Sequence, residues 1–155
     1  MVKGTKEKKL AAMKDLSTGS AGIVAIVLYI VGLIIVISQF TGYQLFLSIL
    51  LSEIFAKFSM VLMASIGKSA SLGSNSPFVE LMKNRQKLVL ASIITLIPLI
   101  VLGGTTGLLV FGVGVTLTLF LVGLSAKSFG GITGDVFGAT NELTRLASLL
   151  IFVSV

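Results

Sequence analysis

No cysteine and no histidine occur among the 155 residues, and those two absences remove whole classes of chemistry. Disulfides, thiolate nucleophiles, zinc sites of the usual kind and any Ser/His/Asp or Cys/His nucleophile are excluded. Charge is scarce as well. Only 12% of the residues are charged, with six acids set against twelve bases. Whatever chemistry the chain performs therefore falls to carboxylates, lysine, arginine and hydroxyls.

What the chain has in excess is apolar surface. Hydrophobic residues make up 55% of it and the mean hydropathy is +1.08, outside the usual mix for a soluble domain. Uncharged or nearly uncharged runs at 22–37, 45–66, 88–102 and 108–124 cross, or nearly cross, a hydrocarbon core roughly 30 Å thick at about 1.5 Å per helical residue. Glu53 and Lys57 interrupt the second of them. A further run, 146–155, is too short to span unless its helix begins earlier, near Val136. No period-2 pattern appears, and only helices or closed barrels satisfy the backbone in lipid. The expectation is an all-α, multispan helical membrane protein with about five transmembrane helices, forming one integral-membrane domain over 1–155. A secretory signal peptide is disfavoured, because no small-residue cleavage site follows the first apolar run and more spans come after it.

Basic residues are distributed unevenly among the connections. Lys3, Lys6, Lys8, Lys9 and Lys14 precede the first span, and Lys68, Lys83, Arg85 and Lys87 fall between the second and third. Lys127 and Arg145 flank the segment after the fourth, while 38–44 and 103–107 carry no charge. All but Lys57 then lie on one side, which the positive-inside rule makes cytoplasmic, with the N-terminus on that side. The basic residues lack interleaved aromatics, so nucleic acid is not the expected partner; lipid and phosphorylated substrates are. Within the long inner connection, "SASLGSNS" reads as a turn-rich linker. "NSPFVELMKNRQK" reads as a helix that starts with Pro77 in its first turn, runs on into the third span and bends at Pro98.

Two phosphate-loop look-alikes fail. "GKS" at 67–69 lacks the earlier glycine of a Walker loop, and "GVGVTL" from Gly112 lacks the third glycine and lies inside an apolar run. Two other groupings survive. Glu53 and Lys57 are four apart and share a helix face, and charges inside a span are costly unless paired or set in a wet cavity. They are either a structural ion pair or a site in which Lys57 receives a substrate phosphate and Glu53 orients it or moves a proton. The second grouping is "SFGGITGDVFGATNELTR". Asp135 and Glu142 stand seven apart, with Gly138 and Arg145 on the same face if a helix begins near Thr133. An acid near a helix start is also a plain cap, and glycines also mark plain turns. Four glycines so close together, Gly130, Gly131, Gly134 and Gly138, would let backbone amides approach an anion, and the two carboxylates suit a magnesium ion bridging phosphate oxygens.

"GGITGDVFGATNELT" resembles the GG-x-TGD-x-x-GA segment and following glutamate of the cobalamin synthase, or adenosylcobinamide-GDP ribazoletransferase, family. "KGTKEKKLAAMKDLSTGSAGIVAIVLYIV" and "SEIFAKFSMVLMASIGKSA" resemble the basic stretch before a family span and the family's central helix. The resemblance implies a multispan enzyme of the cell membrane with its site facing the cytoplasm. Its reaction would be transfer of adenosylcobinamide phosphate from adenosylcobinamide-GDP to alpha-ribazole or its 5'-phosphate, with release of GMP and a requirement for Mg2+. It implies Asp135, Glu142 and Lys57 as catalytic residues, with Asp135 and Glu142 on the metal. Substrate would lie against Gly130, Gly131, Thr133, Gly134, Lys14 and Glu53. Family members also carry an earlier Asp- and Gly-rich acidic segment, ahead of the stretch that here begins at Met1. The expectation is a truncated gene, a misplaced start codon or a partner chain that supplies the acidic half, with a homo-oligomer as a further assembly. The alternatives are another membrane phospho-alcohol transferase, or a non-catalytic helical subunit or transporter component. The transporter reading is disfavoured by the absence of a repeat and by candidate groups placed toward the inner face.

Overall fold

Apolar runs separated by glycine-rich and charged connections become helices packed along one axis. The computed structural model describes residue 5, residues 19–70 and residues 76–155. Its helices are α1 (Ser20–Ile37), α2 (Gly42–Ile66), α3 (Ser76–Met82), α4 (Arg85–Phe129) and α5 (Gly134–Ser154). Among the described residues there is no strand, only an isolated bridge between Ser69 and Ile132, and four helices are long and apolar enough to cross a membrane. The all-α, multispan expectation is borne out. Lys14 and most of the "SASLGSNS" linker lie outside the described residues.

The longest helix is not one rod. Gly104 takes φ 57 and ψ −136, a conformation that breaks a helix and that only glycine adopts at low cost. A methyl group on Gly107 would stand 1.8 Å from the Leu99 carbonyl oxygen. In a straight helix those two residues would be about 12 Å apart, so the chain doubles back. Arms 85–103 and 105–129 form a hairpin, which matches the expected third and fourth spans. Pro98 keeps helical backbone angles, so the break falls at Gly104. The inner-connection helix also departs from expectation: it stops at Met82 and does not run on into the next span. Asn84 is extended, and its side chain accepts from the Gln86 N–H at 2.9 Å, which caps a new helix.

Neighbouring contacts set the direction of each helix. Along α1 and α5, Tyr29 meets Glu142, Gly32 meets Leu146 and Val36 clusters with Leu149, so these two helices run parallel. Along α2 and α5, Glu53 meets Arg145 and Met63 meets Thr140, so these run antiparallel. The core between α2 and the hairpin is Leu51, Phe55, Phe58, Leu99 and Val110, with the rings of Phe58 and Phe111 stacked at 5.5 Å. Against α5, the buried face of α2 is small and hydroxylated. Ser52, Ala56 and Ser59 face Thr140, Thr144 and Ser148, and Ser59 and Thr144 share a hydrogen bond of 3.0 Å. Small residues let backbones approach where lipid removes the hydrophobic drive between helices. Elsewhere α1 and the hairpin turn large apolar side chains outward, Leu28, Ile34, Val101 and Phe120 among them, as a lipid-facing surface requires.

The two ends of the bundle differ. At one end the 67–70 and 130–133 segments meet: the Ile132 N–H donates to the Lys68 carbonyl at 2.7 Å, and the Ala70 N–H donates to the Ile132 carbonyl at 2.9 Å. Phe78 of α3 packs edge-on to Phe137 beside them. Lys68, Lys83, Arg85, Lys87 and Lys127 therefore share this end. The uncharged 38–41 and 103–107 turns lie at the other, near Leu149 and Phe152.

Gly131 is pinned by this junction, since a Cβ there would stand 2.6 Å from the Lys68 carbonyl oxygen and 2.7 Å from the Ala70 nitrogen. Both obstacles are backbone and cannot swing aside. Gly131→Ala is expected to destabilise the protein by about 1–3 kcal/mol. Gly138→Ala, in open space within α5, is expected to stabilise it by roughly 0.5–1 kcal/mol. Thermal unfolding in detergent micelles checks both signs.

Candidate functional site

α5 begins where it can be capped. Gly130 ends α4 in the left-handed region at φ 82, and Thr133 is extended, its hydroxyl oxygen accepting from the Val136 N–H at 3.4 Å. Asp135 then falls in the first turn, where the positive end of the helix dipole favours an acid. It is exposed and, among the described residues, forms no hydrogen bond or ion pair. At Gly134 and Gly138 a side-chain methyl would meet nothing within 4 Å, so the face around Asp135 is open. Gly130 and Gly131 differ from them. Gly130 turns the chain, and Gly131 sits against the 68–70 backbone while its carbonyl accepts from Ser125 Oγ at 2.6 Å.

Two turns along the same face of α5 lies a polar cluster. Arg145 Nε is 2.5 Å from Glu53 Oε1 on α2, and Arg145 Nη1 donates to Glu142 Oε2 at 2.7 Å. The first contact is an ion pair without hydrogen-bond alignment, because the buried Nε forms no directed hydrogen bond. Tyr29 of α1 donates its hydroxyl proton to the same Glu142 oxygen and lies 3.4 Å from Arg145 Nη1. Asn141 Nδ2 donates to Glu142 Oε1 at 2.9 Å, and its Oδ1 accepts from Lys57 Nζ at 3.0 Å. Lys57 and Glu53 are 3.9 Å apart, a looser pair than Glu53 with Arg145. Three helices thus contribute to one network that holds two negative and two positive charges.

The network decides between two expectations for Arg145. It is not grouped with the basic connections; it stands inside α5, on the helix expected to begin near Thr133, about 16 Å from the helix start at roughly 1.5 Å per residue. The apolar run alone begins at residue 146, whereas the helix begins at Gly134 because Thr133 caps it there. Glu53 is likewise near the middle of α2 and Tyr29 near the middle of α1. The candidate groups therefore occupy two levels: Asp135 at the basic end, and the network at mid-helix.

Lys57, Glu53 and Glu142, singled out from the sequence, do come together. Asp135, Thr133 and Gly134 form a separate open patch at the start of α5. Tyr29 and Asn141 have no place in the sequence-based site, although signals exist, and Arg145 enters it only as a neighbour on the face of Asp135 and Glu142. Tyr29 is the only hydrogen-bonding side chain within 22–37, and Asn141 directly precedes Glu142. Among the described residues, no group of three or more carboxylates could close around a metal ion. What the chain offers is an open carboxylate at Asp135 and a saturated one at Glu142. That suits a magnesium ion which takes one or two protein carboxylates and completes its shell with phosphate oxygens and water; it does not suit an all-protein cage.

Removing the Tyr29 hydroxyl leaves Glu142 short of one donor and frees α1 from the polar tie that joins it to α5. Tyr29→Phe is expected to lower stability by about 1–2 kcal/mol, read as a lowered unfolding temperature in micelles. An unchanged unfolding temperature would remove that bond from the framework.

A family model described as cobalamin-5-phosphate synthase matches residues 1–153. The adenosylcobinamide-GDP ribazoletransferase of Pyrococcus abyssi is 35% identical over 154 residues, an alignment covering 97% of this chain and 63% of that protein. The protein of the same name from Thermococcus kodakarensis is 34% identical over 164 residues, covering 100% of this chain and 65% of its relative. One from Clostridium tetani is 28% identical over 154 residues, covering 98% and 61%. The chain thus spans a little under two thirds of the length of these relatives. No solved structure matches it.

Proposed function

The chain belongs to the cobalamin-5-phosphate synthase family, and from that premise we propose that it takes part in the transfer of adenosylcobinamide phosphate from adenosylcobinamide-GDP to alpha-ribazole or its 5'-phosphate. A ribazole hydroxyl attacks the phosphorus that bears the cobinamide, the bridging P–O bond to the guanylate breaks, GMP leaves with that oxygen, and the hydroxyl proton passes to a carboxylate. One observation carries the reading. The family-like segment "GGITGDVFGATNELT" occupies a single capped helix start and the face above it, running from the open Asp135 to the Lys57–Asn141–Glu142 contacts.

The residues divide the work by what each has free. Glu53 and Glu142 commit their charge to Arg145, whereas Asp135 has no partner among the described residues. Asp135 is therefore assigned to magnesium or to the acceptor hydroxyl, with Glu142 as the more distant acid. Magnesium, when bound, neutralises pyrophosphate charge and stabilises the departing phosphate. Lys57, with 64% of its side chain exposed, keeps ammonium protons free for phosphate oxygens. Thr133 and Gly134 leave room at the helix start for an anion, where backbone N–H groups point outward. The basic end bearing Lys68, Lys83, Arg85, Lys87 and Lys127 is assigned to the cytoplasmic face of the cell membrane, with the N-terminus on the same side.

Membranes carrying the chain, supplied with adenosylcobinamide-GDP and alpha-ribazole, are expected to release GMP only when magnesium is present. Asp135→Asn is expected to cut that rate by about a hundredfold or more. Undiminished turnover in the variant removes Asp135 from the site. No GMP from the wild-type chain withdraws the transferase reading for this chain.

A further inference from the structure

Glu53 has two cations within reach and is closer to one of them. Lys57 lies one helical turn above it on α2, the spacing at which a carboxylate and an ammonium ordinarily pair. Yet Glu53 Oε1 is 2.5 Å from Arg145 Nε on α5, while Lys57 Nζ is 3.9 Å from Glu53 Oε2. The exposures match this division. The Arg145 side chain is 22% exposed and that of Lys57 64%, so the guanidinium is enclosed by its acids while the ammonium stands open. The remaining close partner of Lys57 is the neutral Asn141 Oδ1, at 3.0 Å. A neutral oxygen can aim an ammonium without cancelling its charge.

We propose that Arg145 is a positioning residue that draws Glu53 toward itself and thereby leaves the Lys57 ammonium only loosely paired and open to a phosphate anion. This deepens the transferase reading and rests on it for the identity of the anion. A guanidinium is suited to the task because its planar fork can engage two carboxylates at once, which an ammonium does poorly. Here Nε serves Glu53 and Nη1 serves Glu142, and Tyr29 secures Glu142 from the other side. Among the described residues the charges around Lys57 are Glu53 from its own helix and Glu142 and Arg145 from α5, with Asn141 as the neutral neighbour and Tyr29 beyond it on Glu142. Without Arg145, Glu53 would have one cation left to pair with among the described residues, and that cation is Lys57.

The test reads Lys57 directly. The full chain in micelles is acylated with acetic anhydride, with and without inorganic pyrophosphate, and modification of Lys57 is followed by peptide mass spectrometry. In the wild type Lys57 is expected to react, and pyrophosphate to slow the reaction. In Arg145→Met the reaction is expected to slow by about threefold and pyrophosphate protection to weaken, because Glu53 then pairs with Lys57. The double variant Arg145→Met/Glu53→Gln is expected to recover both, a rescue that a purely structural role for Arg145 would not give. Wild-type reactivity in Arg145→Met, or a double variant as slow as the single one, overturns the proposal. Should Arg145→Met not fold, Glu53→Gln alone decides: reactivity within about twofold of wild type and intact protection support the role, and lost protection sinks it. If this pattern holds in a protein that releases no GMP, the transferase reading fails and the role of Arg145 stands. GMP release without the pattern retires the role alone.

Discussion

A guanidinium placed halfway along a lipid-embedded helix must be neutralised where it stands, and the packing of three helices follows from how Arg145 meets that demand. Charges at this depth cost several kcal/mol unless they are paired or wet. Neither Glu53 nor Glu142 alone surrounds Arg145; together they place an acid on each edge of its fork. One acid comes from α2 and the other from α5, so the pairing also sets the register of those helices. α1, which buries a single residue of its own, Val36, is tied in by the Tyr29 hydroxyl on Glu142. Removing one partner from such a half-buried set leaves a poorly compensated charge, which costs more than the pair itself contributes.

The seam beneath the network shows why the charges can meet at all. Ser52, Ala56, Ser59, Thr140, Thr144 and Ser148 are small enough to bring α2 and α5 close, and every hydroxyl among them donates to a carbonyl of its own helix. Larger apolar residues along this line would separate the backbones and pull Glu53 out of reach of Arg145. At the basic end the same helix pair is locked differently, by backbone bonds between 68–70 and 132 that admit no side chain at Gly131. Asp135 is therefore held on a rigid helix start while its own surroundings stay open. A rigid mount with an accessible carboxylate is what a site needs if substrate oxygens and a metal ion are to complete it.

The glycines of "GGITGDVFG" illustrate how one composition serves two purposes. Gly130 and Gly131 are used up by the turn and by the close backbone approach, whereas Gly134 and Gly138 face open space. Spacing alone does not separate these pairs, because a turn glycine and a site glycine look alike until the neighbouring segment is in place. The same holds for the carboxylates. Asp135 and Glu142 share a helix face as their seven-residue separation requires, yet one is unpartnered among the described residues and the other saturated, by Tyr29 of α1 and by Asn141 and Arg145 of α5 itself.

Hydropathy and charge by themselves determined the membrane class, the spans, the hairpin near 103–107 and the side on which most of the basic residues collect. Each of these is a property of one segment in lipid and needs no neighbour. The likeness of 130–144 to a known family also lay in the letters, since those glycines and acids are not demanded by apolar patterning. Only the tertiary structure decided that Arg145 meets Glu53 and Glu142 at mid-helix, that Tyr29 and Asn141 join it, and that Glu53 lies closer to Arg145 than to Lys57. Those outcomes depend on which helices pack together and in what register. A local pattern cannot carry that information, because Lys57 and Asn141, like Tyr29 and Arg145, lie more than eighty residues apart along the chain.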